Sequence, residues 1–371
     1  MELKKENPFV NWIIKSKILG IIFFIAIGLF AAFKIGQALT DNPILFLQQA
    51  INGLQLGFVY ALIALGYTMV YGIVRLINFA HGEVFMVGAF TSYYAIARFN
   101  IHLWVFNLIP STPLFIGQAI GTITVILISM VVCALLAFTI ERVAYKPLRN
   151  APRISALITA IGISFFLQYF ASLNFVFTPN YITAQRPINV VTWFAGLNGF
   201  GQLEPGIAPP ENSVLFSNIF IINVIISIFL LLVLQYIVKR TKVGKAMRSV
   251  AFDTATSRLM GINVDGIISA TFALGSALAG AAGVLYSIAY PQVVFFMGVT
   301  PGLKAFVAAV LGGIGSIPGA FIGSLIMGQA EVLSAAYIST PMRDAIAFTI
   351  LILVLLIRPK GIMGELSSEK V

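Results

Sequence analysis

Long apolar runs broken by short polar islands set the pattern of this chain. The runs fall near 18–38, 44–74, 84–98, 114–140, 154–178, 214–238, 266–290, 299–312, 318–336 and 342–357. A helix needs about 20 residues to cross a bilayer, so they predict about eight to ten crossings. Two of them, 84–98 and 299–312, are short and read as half-helices or re-entrant pieces. Strands of a membrane barrel would alternate apolar and polar residues. These runs do not alternate, and helices are the remaining way to satisfy a backbone in lipid. The prediction is an all-α integral membrane protein with one transmembrane domain over 18–357. A cytoplasmic N-terminal tail (1–17) and C-terminal tail (358–371) flank it. The lysines before the run at 18–33 also suit a signal peptide, but no small-x-small cleavage site follows. An uncleaved first helix is therefore expected.

Composition removes the soluble alternatives. The chain is 59% hydrophobic and 10% charged, with a mean hydropathy of +0.97, whereas soluble domains carry about 25% charged residues. The net charge of +10 then reads as a record of orientation, not of nucleic-acid binding. With ten crossings, 18 of the 23 basic residues share a side with both termini. The other side keeps Lys34, Arg98, Arg186, Lys304 and Arg343. This bias places both termini in the cytoplasm. A lone Cys133 excludes an internal disulfide.

Four polar or glycine-rich segments carry the candidate chemistry. Arg75, Asn78, His81 and Glu83 lie within nine residues between apolar runs, and such groups are costly in hydrocarbon. They either cap a break between two half-helices or touch cargo, since half-helix N-termini also suit a carboxylate. A metal site would need more ligands than His81 and Glu83 supply. The glycine-rich segment 302–328, with Gly312, Gly313, Gly315 and Pro318, forms a second hairpin of small residues around a tight break. The pair suggests a diverged duplication lining a path. Segment 239–265 is the longest cytoplasmic polar stretch. Thr241 suits a helix start and Gly261 and Asn263 suit an end. Met247, Val250, Ala251 and Thr254 form an apolar stripe between them. This is either a basic helix on anionic lipid or a docking helix for a cytoplasmic partner. The fourth segment, the proline-rich loop 179–213 outside the membrane, is either connection or a partner surface. Glu331 reads as solvated or hydrogen-bonded and His102 as interfacial. Pairs Gly53/Gly57, Ser276/Gly280 and Gly319/Gly323 read as close helix packing inside the chain.

Absent motifs bound the mechanism. There is no phosphate-binding G-x-x-x-x-G-K-[ST] loop, no H-E-x-x-H and no cysteine cluster. Few ionisable residues fall inside the apolar runs, whereas a proton- or sodium-coupled carrier would usually use them. Energy comes from another subunit, or the protein is a passive pore. No cofactor is implied.

Residues 51–90, 141–168, 244–265, 268–286 and 302–328 resemble, in order, the signatures of permease subunits of bacterial branched-chain amino-acid ABC importers. The likeness spans about 45 to 360. It implies a type II-like importer permease architecture, with many helices per subunit, in the bacterial cytoplasmic membrane. It also implies that 244–265 is the loop abutting the ATPase, with Gly244, Arg248, Asp253, Arg258, Leu259, Gly261 and Asn263 at the contact. Thr254–Ser257 departs from the usual acidic and alanine residues there. The implied partners are two cytoplasmic ATPase subunits, a second and paralogous permease, and an extracytoplasmic amino-acid-binding protein. The implied cargo is leucine, isoleucine or valine, with urea and short amides as neighbours. A passive channel, a secondary carrier and a membrane scaffold stay open as other classes. An integral-membrane enzyme lacks a nucleophile or metal set.

Overall fold

A computed structural model describes residues 30, 33–149, 151–196, 199–204, 206–358 and 360–364. The N-terminal tail and most of the predicted first crossing (18–38) lie outside the described residues, as do 365–371 of the C-terminal tail.

Helix α1 (Pro43–Val74) starts where the Asn42 side chain accepts the Leu45 N–H, with proline at the first turn. It ends at Arg75, whose left-handed φ of 55° turns the chain. Helix α2 (His81–Ala97) follows after six residues. A short helix α3 (Trp104–Leu108) leads into α4 (Leu114–Ile140). That helix runs on through a π-helical turn (Glu141–Tyr145) and a 3-10 turn (Lys146–Leu148). Helices α5 (Arg153–Ala171), α6 (Asn218–Arg240), α7 (Lys242–Phe252), α8 (Thr254–Leu259) and α9 (Val264–Ala289) come next. The chain closes with α10 (Val299–Gly312), α11 (Ile317–Tyr337) and α12 (Arg343–Ile357).

Six described helices are long and apolar enough to cross a membrane, and α2, α10 and α12 are shorter. At about 1.5 Å per residue, α10 spans only about 21 Å, short of the ~30 Å core. The α1 and α9 windows are 78% and 72% buried, whereas those of α4, α5 and α6 are 22% to 28% buried. So α1 and α9 form the centre, with α2, α10 and α11 against them. Helices α4 to α6 present apolar sides outward, as lipid requires. The small-xxx-small pairs pack inside the chain, Gly53 and Gly57 against α11 and Gly280 against α4.

Two features depart from the sequence reading. The 179–213 loop is a folded unit. Strands β2 (Thr192–Gly196), β3 (Gly199–Leu203) and β4 (Ser213–Ser217) make an antiparallel sheet in the order β3-β2-β4, and β1 (Ile182–Thr183) pairs with β5 (Gln292–Val293). The Gln48 amide holds both the N–H and the carbonyl of Leu215, and Arg186 donates to the Ile288 carbonyl at 2.8 Å. Ionisable side chains also lie inside the bundle. Lys304, read from sequence as extracytoplasmic, is buried and paired with Glu331 and Asp344 at 2.7 Å each. Tyr60 donates to the other Glu331 oxygen. A lysine inside a helix bundle needs such partners to offset desolvation.

Candidate functional site

The break between α1 and α2 is built by its own polar residues. Asn78 Oδ1 accepts the Ala80 N–H at 3.1 Å and the Tyr145 hydroxyl at 2.7 Å. It thereby fixes the turn from which α2 begins. His81 is buried, with its ring edge-on to Tyr67 at 4.7 Å between centroids. A Cβ on Gly66 would stand 2.3 Å from His81 Nε2 and 2.6 Å from the Gly275 carbonyl oxygen. The imidazole therefore occupies a slot that only glycine leaves open. Gly66→Ala is expected to cost ~1–3 kcal/mol by overpacking, read as a lower unfolding temperature of the purified chain. His81→Ala in the same chain restores only part of it, because the Gly275 carbonyl stays in the way.

Glu83 lies in the first turn of α2 with 1% of its surface exposed. Its Oε1 accepts the Ser164 hydroxyl of α5 at 3.3 Å. Its Oε2 has no hydrogen-bond partner and faces Gly298, just before α10. Gly82 in turn abuts Gly298 and Gly302. The N-termini of two short helices thus meet, and beside them is a cavity of about 150 Å³. Glu83, Ser164 and Gln168 supply its polar wall, and Phe79, Phe165 and Leu303 part of its apolar one.

The other path candidates lie elsewhere. Gly313 (φ 108°) and Gly315 (φ 99°) make the tight turn from α10 to α11. Ser316 caps α11 through the Gly319 N–H, and Pro318 occupies its first turn. Gly312 packs on Gly319, and its carbonyl accepts the Met363 N–H. The second hairpin therefore reaches the cavity through the start of α10, not through its glycine turn.

Segment 239–265 forms two helices, not one. Thr241 caps α7 through the Gly244 N–H at 3.1 Å. Asp253 accepts the Ala255 and Thr256 N–H groups and starts α8, because a side chain that bonds the backbone ahead of it breaks a helix. Arg248 donates to the Val238 carbonyl. Met247 and Val250 of the predicted stripe are buried against the bundle, while Thr254 is exposed. The exposed apolar groups are Phe252, Leu259 (87%) and Met260. Gly261 (φ 80°) turns the chain back, and Asn263 caps α9 through the Gly266 N–H. Arg258 approaches Asp265 at 3.6 Å.

A clamp that sequence reasoning missed fastens this region. Arg149 pairs with buried Glu141 and with Asp265. Ser269 donates to Glu141, and Lys146 holds Asp265 at 3.1 Å. Ser164 and Gln168 were also missed. Their signal was a pair of polar residues four apart in an apolar helix, which share one face.

Short helices meeting end to end inside a multi-crossing bundle, beside a mainly apolar cavity with a few polar groups, are the pattern of membrane transport proteins. The comparisons give the family. The profile of the branched-chain amino acid transport system permease component matches residues 49–355, and the chain belongs to that family. It is 41% identical over 333 residues to the high-affinity branched-chain amino acid transport system permease protein LivH of Salmonella typhimurium, covering 90% of this chain and 100% of that one. It is 40% identical to BraD of Pseudomonas aeruginosa, a permease protein of the same description, over 88% of this chain and 98% of BraD. Among solved structures, PsaBC from Streptococcus pneumoniae in complex with Fab aligns over 89% of this chain and 97% of that one, with 12% identity and a TM-score of 0.38.

Proposed function

We propose that this chain is one permease half of an ATP-driven importer of leucine, isoleucine and valine in the cytoplasmic membrane. The observation that carries the reading is the α7–α8 segment, which presents Phe252, Leu259 and Met260 to solvent on an otherwise fastened scaffold. The same segment carries the exposed Lys242, Lys245, Arg248 and Arg258, and exposed apolar groups on a basic segment suit a partner's groove. Two cytoplasmic ATPase subunits take that position, with both termini of this chain on the same side. A second, paralogous permease completes the path. A binding protein outside the membrane meets the β2–β4 sheet and the loop between β3 and β4, where Phe200 and Ile207 are exposed. The cargo assignment draws on the branched-chain amino-acid relatives.

Affinity capture of the tagged chain from gently solubilised membranes tests the assembly. A nucleotide-binding subunit and a second permease are the expected companions. Recovery of the chain alone overturns the ATP-driven reading in favour of a channel or carrier. ATP-dependent uptake into proteoliposomes, compared for leucine and urea with the matching binding protein, then tests the cargo.

A further inference from the structure

The α7–α8 segment and the polar break before α2 share one small core. Apart from the main core, Val70 of α1, Tyr145, Val250 of α7 and Val264, Ile268 and Phe272 of α9 belong to a second buried cluster. Val250 brings α7 into it, and Ile262, just after the Gly261 turn, packs on it. Leu76 and Phe79, in the connection between α1 and α2, pack on the same cluster, and Phe79 also lines the cavity beside Glu83. The segment and the cavity wall are thus two edges of one packed unit, and close-packed side chains transmit strain. Tyr145 adds a directional bond to these apolar contacts. It is buried, with its ring 5.4 Å from that of Phe272, and its hydroxyl donates to Asn78 Oδ1 at 2.7 Å. That oxygen also accepts the Ala80 N–H, and the Asn78 carbonyl accepts the His81 N–H at 3.1 Å. The position of Tyr145 therefore bears on the first turn of α2. Tyr145 ends the π-helical turn that begins at Glu141, and such turns recur at functional sites. Glu141 is pinned to α9 by Ser269 and is paired with Arg149. At the other end of the connection, Arg75 holds a left-handed φ of 55°, which a side chain disfavours. The break is held by its surroundings against its own local preference.

We propose that Tyr145 is a positioning residue for transport, tying the start of α2 to movements of the α7–α8 segment. A displacement of that segment enters the small core through Val250 and Ile262. It leaves through Phe79 and through the Tyr145–Asn78 bond, and so reaches the cavity. The inference rests on the ATP-driven reading and adds to it the group that connects its two ends. A tyrosine that only filled the core would need no hydroxyl, and Asn78 would cap the Ala80 N–H without it. Coupling between two sites is carried by an element whose equilibrium both sites bias, and the break before α2 is that element here.

The test uses the whole complex in proteoliposomes, with its binding protein loaded with L-leucine. Leucine taken up per ATP hydrolysed is measured for the wild type, Tyr145→Phe, Gly261→Pro and the double variant. Tyr145→Phe keeps the ring in the core and removes only the hydroxyl. Uptake per ATP is expected to fall about fivefold or more, with the unfolding temperature little changed. The double variant is expected to be no worse than the poorer single one, whereas independent lesions would multiply. Gln168→Cys in the cavity wall gives a second readout, the native Cys133 being buried. Its labelling by a small thiol reagent is expected to change rate when a non-hydrolysable ATP analogue is added, and Tyr145→Phe is expected to remove most of that change. A merely structural loss would not select this response. Wild-type uptake per ATP in Tyr145→Phe, a multiplied loss in the double variant, or an undiminished nucleotide response at position 168 each overturns the proposal. So does the lack of any such response in an active wild-type complex. Should Tyr145→Phe fail to assemble, Val250→Ala decides, because it leaves the Tyr145–Asn78 bond in place and loosens the contact with α7. A nucleotide response undiminished there overturns the proposal as well. Absence of ATP-driven uptake in the wild type overturns the importer reading and this inference with it. ATP-driven uptake that is insensitive to Tyr145→Phe overturns this inference alone.

Discussion

Gly261→Pro is expected to reduce ATP-driven uptake by about tenfold or more, the loss of a typical coupling free energy of ~1–3 kcal/mol between sites. Gly261 has a φ of 80°, and its N–H donates to the Arg258 carbonyl at 3.0 Å. Proline holds φ near −65° and has no N–H, so neither feature survives. The residue before a proline also avoids the helical region, and Met260 sits there with ψ near 10°. Both residues must move, and Leu259 and Met260, the most exposed apolar groups of α7–α8, move with them. The damage stays local, because nothing lies within 4 Å of a Cβ at position 261. The unfolding temperature should therefore change far less than uptake does. Gly261→Ala gives a graded control, because a left-handed residue with a Cβ costs ~1–2 kcal/mol and keeps the N–H. Stimulation of the ATPase by loaded binding protein is the measurement. Normal stimulation in Gly261→Pro would remove α7–α8 from the coupling path.

What the chain discloses before folding follows from the range over which each feature is decided. The break at Asn78, the start at Thr241 and the stop at Gly261 are local. A side chain bonds a backbone group two or three residues away, or a glycine takes a left-handed φ, and the residue type is the signal. Helix α8 was hidden because the apolar spacing runs unbroken through Asp253, and only the capping geometry of that carboxylate shows the split. The sheet of β2 to β4 was hidden by prolines and short strands, and its β4 edge is completed by a glutamine side chain from α1. The bundle's charges are the sharpest case. Lys304 and Glu331 lie 27 residues apart on different helices, so each alone reads as a surface or loop residue. Their burial follows from being brought together. The cavity is legible only in part for the same reason. Glu83 stands out in the sequence, but Ser164 and the approach of α10 depend on the packing of three helices.

The second large effect falls on the clamp. Arg149→Met is expected to destabilise the chain by about 3 kcal/mol, the lower part of the ~3–5 kcal/mol seen when one partner of a buried pair is removed. Arg149 is 20% exposed, so water softens the loss, but the Glu141 side chain is fully buried. Among the described residues, Glu141 would keep only the Ser269 hydroxyl, which donates at 2.5 Å. Asp265 would be less affected, because it is 39% exposed and retains Lys146 at 3.1 Å. The penalty therefore belongs to Glu141, and this can be checked by a second substitution. Glu141→Gln beside Arg149→Met removes the stranded charge and still offers Ser269 an acceptor, so most of the lost stability should return. Unfolding of the purified chain in detergent, followed by temperature, reads both effects. Salt should have little influence on the wild-type pair, since buried charges are weakly screened. No rescue by Glu141→Gln would place the cost on Asp265 instead. Because Asp265 lies in the first turn of α9, two residues after the cap at Asn263, loosening the clamp also frees the end of α9 that receives the α7–α8 segment. Arg149→Met should then weaken the coupling of ATP hydrolysis to uptake even at temperatures where the chain stays folded, and the double variant should restore both together.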